Sequence, residues 1–253
     1  MTGFGGIALL GAAGLLAGVV GTAGGITSLI SYPALLAAGL PALAANVANI
    51  VAVVACWPGS ALASRPELVG QGPWLRRWVP LSALGGAAGS LLLLFTPPGV
   101  FARVVPFLVA TGSLALLAQP RLAARHRRGN PSGASGVVLP LGLIAMSVYG
   151  GYFGAGSGVM ILALLLITSE PSLATANALK NMLIGGAALI SAAAFAVFGP
   201  VDWTAVAPLG LGMFVGSTLG PRIARRLPAT LLRWLVVLIG LGLALQLWIK
   251  PNG

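Results

Sequence analysis

The chain has 253 residues, 58% of them hydrophobic and 7% charged, with a mean hydropathy of +1.00. A soluble domain carries roughly 25% charged residues, so a soluble fold is excluded, and the apolar runs leave no room for a separate soluble domain. The net charge of +11 lies in short loops between apolar runs, where it orients a chain in a lipid bilayer; no nucleic acid is expected as a partner.

Apolar segments run over about 4–20, 25–39, 43–63, 78–96 and 100–118, and then over 137–153, 158–168, 173–198, 203–220 and 229–249. Between the two series stands the polar link QPRLAARHRRGNPSGAS. The first stretch has the length of a signal-peptide core but no basic residues ahead of it, and it reads as a retained span. The organisation expected is a membrane repeat over 1–118, a basic cytoplasmic linker over 119–136 and a second repeat over 137–253.

The two series correspond in detail. Residues 18–25 read GVVGTAGG and residues 150–158 read GGYFGAGSG; each break leads to an apolar stretch, a Pro-bearing connector and an Asn-bearing helix start, AANVANI against ATANALKNM. The helix holding Gly85, Gly86 and Gly89 corresponds to the one holding Gly212, Gly216 and Gly220. This is an internal duplication. Five segments per copy make the second copy enter from the opposite side, as in the inverted repeats of secondary transporters. The fold class expected is thus an all-α polytopic membrane protein of two inverted repeats, about five helical segments each, with broken or re-entrant hairpins.

Charge supports that count. One face receives Arg65, Arg76, Arg77, Arg121, Arg125, Arg127, Arg128, Arg222, Arg225, Arg226 and Arg233, whereas the other receives Arg103 and Lys250. Lys and Arg concentrate on the cytoplasmic side, so both termini are expected outside and the linker inside, in the cytoplasmic membrane. Fusing the first two segments of each copy gives eight parallel-repeat helices and splits the basic loops almost evenly, which argues against it.

Segments beside the breaks count about 15–17 residues or fewer, against the roughly 20 needed to span. Irregular backbone at membrane depth is tolerated where it is buried in protein or lines a watery cavity, so the two breaks are expected to meet between the repeats. Helices starting after Gly24 and Gly25, and near Gly156 and Gly158, aim unpaired N–H groups and positive dipole ends at the breaks, which attract anions. Gly21, Thr22, Thr27, Ser28, Gly154 and Ser157 complete the two candidate loops. For Gly85, Gly86, Gly89, Gly212 and Gly216 close helix packing is the better reading.

Lys180 stands inside an apolar segment, where an ionisable group is expensive and a role in binding the anion is the default. The competing reading starts that segment later and lets the side chain snorkel to the interface. Asn177 and Asn181 lie one turn apart, on the face that Asn46 and Asn49 occupy in the first copy; a polar lining and helix-to-helix hydrogen bonding both fit.

Glu67 and Asp202 read as structural, the latter as a helix N-cap. Glu170 sits in a connector, so a proton pump built on buried carboxylates has little support. Trp74, Trp78, Trp203, Trp234 and Trp248 mark segment ends as an aromatic belt does, while Trp57 beside Pro58 either fills a kink or walls a pathway. The lone Cys56 excludes an intrachain disulfide and a thiolate metal site. The only histidine, His126, is in the link, GxSxG and P-loop motifs are absent, and no cofactor, metal site or catalysis is expected.

The Gly-rich break followed by YPALLAAGLP and an Asn-rich helix, repeated with VDW and GSTLGPRIARRLP near the end, resembles the sulfite exporter TauE/SafE family over nearly the whole chain. The resemblance implies a permease for small anions, typically sulfite, sulfonates such as sulfoacetate or related sulfur oxyanions, with the translocation site at the Gly breaks and the helix starts after them. The first copy departs from the family's longer glycine run, having GTAGG, and Asn46 and Asn177 stand where small hydroxyl residues are often found. An alternating-access transporter is expected, alone or as a homo-oligomer; a passive anion channel and a non-transporting membrane scaffold are the alternatives.

Overall fold

The structure is a computed structural model that describes residues 4–126, 135–169 and 172–224, with scattered positions over 237–249. The expectations for Glu170, Arg127, Arg128, Arg225, Arg226, Arg233, Trp234 and Lys250 lie outside the described residues, as does most of the tenth segment. Every regular element among the described residues is a helix. The first half of the chain forms α1 (Phe4–Gly24), α2 (Thr27–Ala37), α3 (Ala42–Val53), α4 (Cys56–Ala63), α5 (Arg65–Leu68), α6 (Gly72–Leu94) and α7 (Pro98–His126). The second forms α8 (Ser135–Tyr152), α9 (Ser157–Thr168), α10 (Leu173–Phe198) and α11 (Trp203–Ala224).

Among the described residues five stretches are long and apolar enough to cross a bilayer: Gly5–Gly24, Ala42–Ala63, Gly72–Leu94, Leu173–Phe198 and Trp203–Gly220. Two differences from the sequence expectation are local. The helix α1 has 21 residues and runs on through Gly21 and Gly24; Gly14 and Gly18 within it lie against the backbone of α11 and gain close contact where a free helix would lose stability, and Gly21 packs on Thr27. The expected third segment is divided at Val54–Ala55 into α3 and α4. α7 also extends into the stretch expected as linker, which is rich in helix-forming Leu, Ala and Arg.

α2 and α9, with 11 and 12 residues, reach about 16–18 Å, little more than half of a hydrocarbon core about 30 Å thick. Each begins at a glycine break. They are half-length helices held inside the protein, burying Ser31, Tyr32 and Leu35 in α2 and Ile161, Leu162 and Leu165 in α9.

Packing between the halves is reciprocal. α1 lies along α11, and α8, its counterpart by sequence, lies along α6; α3 and α4 pack on α11, and α10 packs on α6. Small residues set these contacts. A Cβ at Gly14 would fall on the backbone of Leu209 and Met213, one at Gly18 on Met213 and Ser217, and one at Gly216 on Leu15 and Val19. At the counterpart, a Cβ at Gly85 would meet Ser147 and Ile144, and one at Gly89 would meet Val148 and Tyr152. The packing role expected for Gly85, Gly86, Gly89, Gly212 and Gly216 is what the structure has.

The register of these pairs also gives direction. Partners on α1 and α11 climb together, so the two run parallel; α4 follows α11 in the same sense, with Cys56 on the Met213 carbonyl and Gly59 against Phe214 and Ser217. α1 and α4 therefore point the same way and the chain reverses between them, so α1 and α2 are not one continuous span. The core beneath the first break centres on Tyr32, Phe101 and Phe153, with Tyr32 and Phe153 edge to face at 5.3 Å. A second cluster joins α8, α9 and α10 through Leu143, Leu165 and Leu183.

The expected N-cap at Asp202 is present: its Oδ1 accepts from the Thr204 amide at 3.0 Å and the Ala205 amide at 3.3 Å. At the start of α6, Trp74 and Trp78 pack at 6.1 Å with the Arg77 guanidinium over the Trp78 ring. Trp203 and Trp248 are exposed, and Trp248 stands edge to face on Phe107.

Candidate functional site

Left-handed backbone decides where the two breaks fall. Gly25 at φ +77°, Gly154 at +86° and Gly156 at +82° occupy conformations that L side chains avoid. α2 starts at Thr27 and α9 at Ser157, and neither has a side-chain cap. Their first-turn amides, Thr27 and Ser28 in one and Gly158 and Val159 in the other, have no intrahelical acceptor and carry the positive end of a helix dipole. The two breaks touch: a Cβ on Gly158 would lie 2.7 Å from both the Cα and the carbonyl oxygen of Gly25.

A cavity of about 60 Å³ opens beside this crossing. At roughly 10–15 Å³ of such volume per water, it holds about four to six water-sized atoms. Of the candidate residues, Gly21, Thr22, Gly25, Thr27 and Ser28 line it from the first half, and Gly154, Ser157, Gly158 and Asn181 from the second. Among the described residues no charged side chain lines it. Gly24, Asn46, Asn49, Gly156, Asn177 and Lys180 stand outside the lining.

The donors available to a ligand are fewer than the hydroxyls. Thr22 donates to the Gly18 carbonyl at 2.7 Å, Ser157 to the Gly154 carbonyl at 2.8 Å, Ser60 to the Trp57 carbonyl at 3.0 Å and Ser191 to the Gly86 carbonyl at 3.0 Å. A hydroxyl has one proton, so these four face the cavity as acceptors. Thr27 and Ser28 are left as hydroxyl donors, beside the open amides of the same helix turn.

Behind the wall lies a polar network. Lys180, fully buried, donates from Nζ to Asn177 Oδ1 at 2.7 Å and toward the Gly21 carbonyl at 3.5 Å. Asn177 and Asn181 both donate to the Thr22 carbonyl, at 2.8 and 3.1 Å. The ammonium thus sits against the carbonyl end of α1, where a helix dipole favours positive charge. In the first half Asn46 donates to the Tyr152 carbonyl at 2.8 Å, at the end of α8. Asn46 and Asn177 hold equivalent places, which pairs Asn49 with Lys180 by position, one residue off the sequence pairing of Asn49 with Asn181.

Several lining residues were not singled out by sequence. Ser147, Gly150 and Gly151 form one stripe on α8, which the expected Gly154 continues just past its end, and Val53, Cys56 and Ser60 form another along α3 and α4 together with Trp57, the wall weighed from sequence. Both stripes have the i, i+3, i+4, i+7 spacing of one helix face, the signal that would have found them. Trp57 sits in the first turn of α4, packs its ring on Gly185 and walls the cavity, so it stands at the kink and on the lining together. Among the described residues no three His, Cys, Asp or Glu side chains come together as metal ligands do.

The family described as sulfite exporter TauE/SafE matches residues 7–247. Similar chains include a probable membrane transporter protein, ORF9, of Sinorhizobium sp, 27% identical over 97% of this chain and 94% of its own length. The probable membrane transporter protein YfcA of Escherichia coli K12 is 26% identical over 94% of this chain and 88% of its own. A probable membrane transporter protein of Haemophilus influenzae is 28% identical over 92% and 91%. No solved structure matches this chain. The apolar helices and these relatives make it a multi-pass membrane protein of a transporter class, and it belongs to the sulfite exporter TauE/SafE family.

Proposed function

We propose that the cavity at the crossing of the two breaks binds a small sulfur oxyanion and that the protein carries it across the cytoplasmic membrane by alternating access, without catalysis. The observation that carries this reading is that two uncapped helix starts, α2 and α9, open on one cavity in which Thr27 and Ser28 keep free hydroxyls. Its volume suits an ion of four or five heavy atoms, such as sulfite or sulfate, better than a longer sulfonate. Lys180 contributes positive potential from behind Gly21, and Asn177 holds it there. At the other break Asn46 donates to the Tyr152 carbonyl, while Asn49 pairs with Ser31 of α2.

The directions of packing support an inverted relation between the halves, and the Lys/Arg distribution of the loops is what favours both termini outside and the basic link in the cytoplasm. α1 and α4 run with α11, so the fourth segment of the second half points as the first and third of the first half do. A rocking motion of one half against the other would open the crossing alternately to each side.

The test is uptake of radiolabelled sulfite into proteoliposomes, with saturation and counterflow to separate a carrier from an open channel. Lys180→Met keeps a side chain of similar length without the charge, and the expected result is folded protein whose uptake falls at least tenfold. Transport of a neutral solute or a cation with no response to sulfite would overturn the anion reading.

A further inference from the structure

At each break one helix ends where another begins: α1 stops at Gly24 and α2 starts at Thr27, α8 stops at Tyr152 and α9 starts at Ser157. The negative end of one dipole and the positive end of the next, each worth roughly half a charge, stand side by side and leave almost no net charge at either break. What they leave is direction. The Gly21 carbonyl accepts from the Gly25 amide and from Lys180, the Thr22 carbonyl from Asn177 and Asn181, the Tyr149 carbonyl from the Phe153 and Gly154 amides, and the Tyr152 carbonyl from Asn46. The carbonyl ends are thus taken up within the protein, while the amide ends of α2 and α9 stay open at the cavity.

Net charge therefore rests on side chains. Among the described residues none that lines the cavity is charged, and the buried cation behind it is Lys180, with no exposed surface. Its partners are neutral, the Asn177 amide at 2.7 Å and the Gly21 carbonyl at 3.5 Å. Of the ionisable side chains described on the helices around it, the Cys56 thiol of α4 acts on it; Glu67 of α5 and Asp202 ahead of α11 do not. The site offers one positive charge and no more, in surroundings where an unbalanced charge is expensive. A bound ion with one negative charge brings the total to zero, and one with two leaves a charge uncompensated in the membrane interior. The lining hydroxyls point the same way. Thr22, Ser60, Ser157 and Ser191 spend their protons on carbonyls and face the cavity as acceptors, which an ion without a proton cannot use.

We propose that the site selects singly charged oxyanions over doubly charged ones, so that the sulfur species it takes is hydrogensulfite rather than the sulfite dianion or sulfate. This rests on the cavity being the oxyanion site proposed above. The volume of the cavity suits sulfite and sulfate alike, and charge is what separates them. Each sulfur then crosses together with one proton, whose hydroxyl has an acceptor waiting in the lining.

The experiment is thermal unfolding of the purified full-length protein in detergent, titrated at constant ionic strength with two pairs of ions of matched shape. Chlorate is set against sulfite, both pyramidal, and perchlorate against sulfate, both tetrahedral. Each pair differs by one charge, and each comparison is made at one pH, so that any titration of the protein acts on both members. Binding to the folded state raises the midpoint with concentration. At pH 8.5, where sulfite is mostly the dianion, chlorate and perchlorate should half-saturate the rise at concentrations at least tenfold below those of their partners. At pH 6, where sulfite keeps one proton, it should draw level with chlorate or pass it, while sulfate stays behind perchlorate. In Lys180→Met the response to chlorate should be lost. A dianion that matches its monoanion at pH 8.5, or a chlorate response that survives Lys180→Met, overturns the proposal and leaves the oxyanion reading standing. No rise with any of the four ions at either pH overturns both.

Discussion

Asn177 donates its side-chain amide to the Thr22 carbonyl at 2.8 Å, across 155 residues of sequence, and Asn46 repeats the bond to Tyr152 at the same distance. Each asparagine on a third segment closes the end of the other half's first helix. The halves are thus tied by polar bonds at the point where both backbones break.

The two bonds should not be equal in worth. Asn46→Leu leaves the Tyr152 carbonyl without this donor, at about 1–3 kcal/mol. Asn177→Leu does the same to Thr22 and also removes the acceptor of the buried Lys180 ammonium, and stranding a buried charge costs more than stranding a carbonyl, on the order of 3–5 kcal/mol. Thermal unfolding should show Asn177→Leu clearly less stable than Asn46→Leu. Equal midpoints would mean that Asn177 does not hold the ammonium.

The crossing of the breaks gives a paired test. A methyl at Gly158 would lie 2.7 Å from Gly25, backbone against backbone, so Gly158→Ala must push the two breaks apart. At Gly150 the methyl would meet Ser157 at 3.5 Å, an ordinary contact, while still entering the cavity. Gly158→Ala should lose stability by about 1–3 kcal/mol together with transport. Gly150→Ala should fold normally and lose affinity for sulfate more than for the smaller sulfite, read from KM. If Gly158→Ala transports like the native protein, the crossing is not the site.

What the sequence made legible here was periodic or punctuated. The apolar runs, the two glycine breaks and the N-cap at Asp202 all leave local signatures, and for the first nine runs, which the described residues cover, the helices fall where those signatures lie. The break at Val54–Ala55 has one as well: Pro58 supplies no N–H for the Val54 carbonyl and its ring crowds that carbonyl, so the kink read beside Trp57 appears one turn earlier as a division of the segment. The lining serines, by contrast, were missed. Ser60, Ser147 and Ser191 are single polar residues in apolar runs, and their common cavity exists only after α4, α8 and α10 are brought together. Lys180 was conspicuous as a buried charge, but its partners, Asn177 and the end of α1, are fixed by contacts no spacing encodes.

Asp202 offers a pH test well away from the site. It lies just ahead of α11, and the Thr204 hydroxyl, with the Thr204 and Ala205 amides, holds its carboxyl below the usual carboxylate range. A depressed folded pKa means that the stabilisation is present above the unfolded value, near 3.9, and is lost as pH falls through the folded one. Asp202→Asn keeps the cap and removes the titration, whereas Asp202→Ala removes both at about 1 kcal/mol. Thermal midpoints followed from pH 7 down to pH 3 should drop less steeply for Asp202→Asn than for the native chain; parallel curves would show that the carboxylate contributes nothing.

The inverted relation makes a prediction that a parallel one contradicts. Val69 follows the third segment of the first half and Phe198 ends the third segment of the second, and both are exposed, at 79% and 75%. If the halves enter the membrane from opposite sides, these two equivalent positions face opposite compartments; if they enter from the same side, both face one. The basic residues Arg65, Arg76 and Arg77 around Val69 put that position in the cytoplasm, and the loop after Phe198 carries none. In a Cys56→Ala background, which removes the single native thiol, Val69→Cys should react with a membrane-impermeant maleimide only in inverted vesicles. Phe198→Cys should react only in intact cells. Labelling of both from one side would leave the two glycine breaks on parallel copies and remove the reason for their helix ends to face one ion.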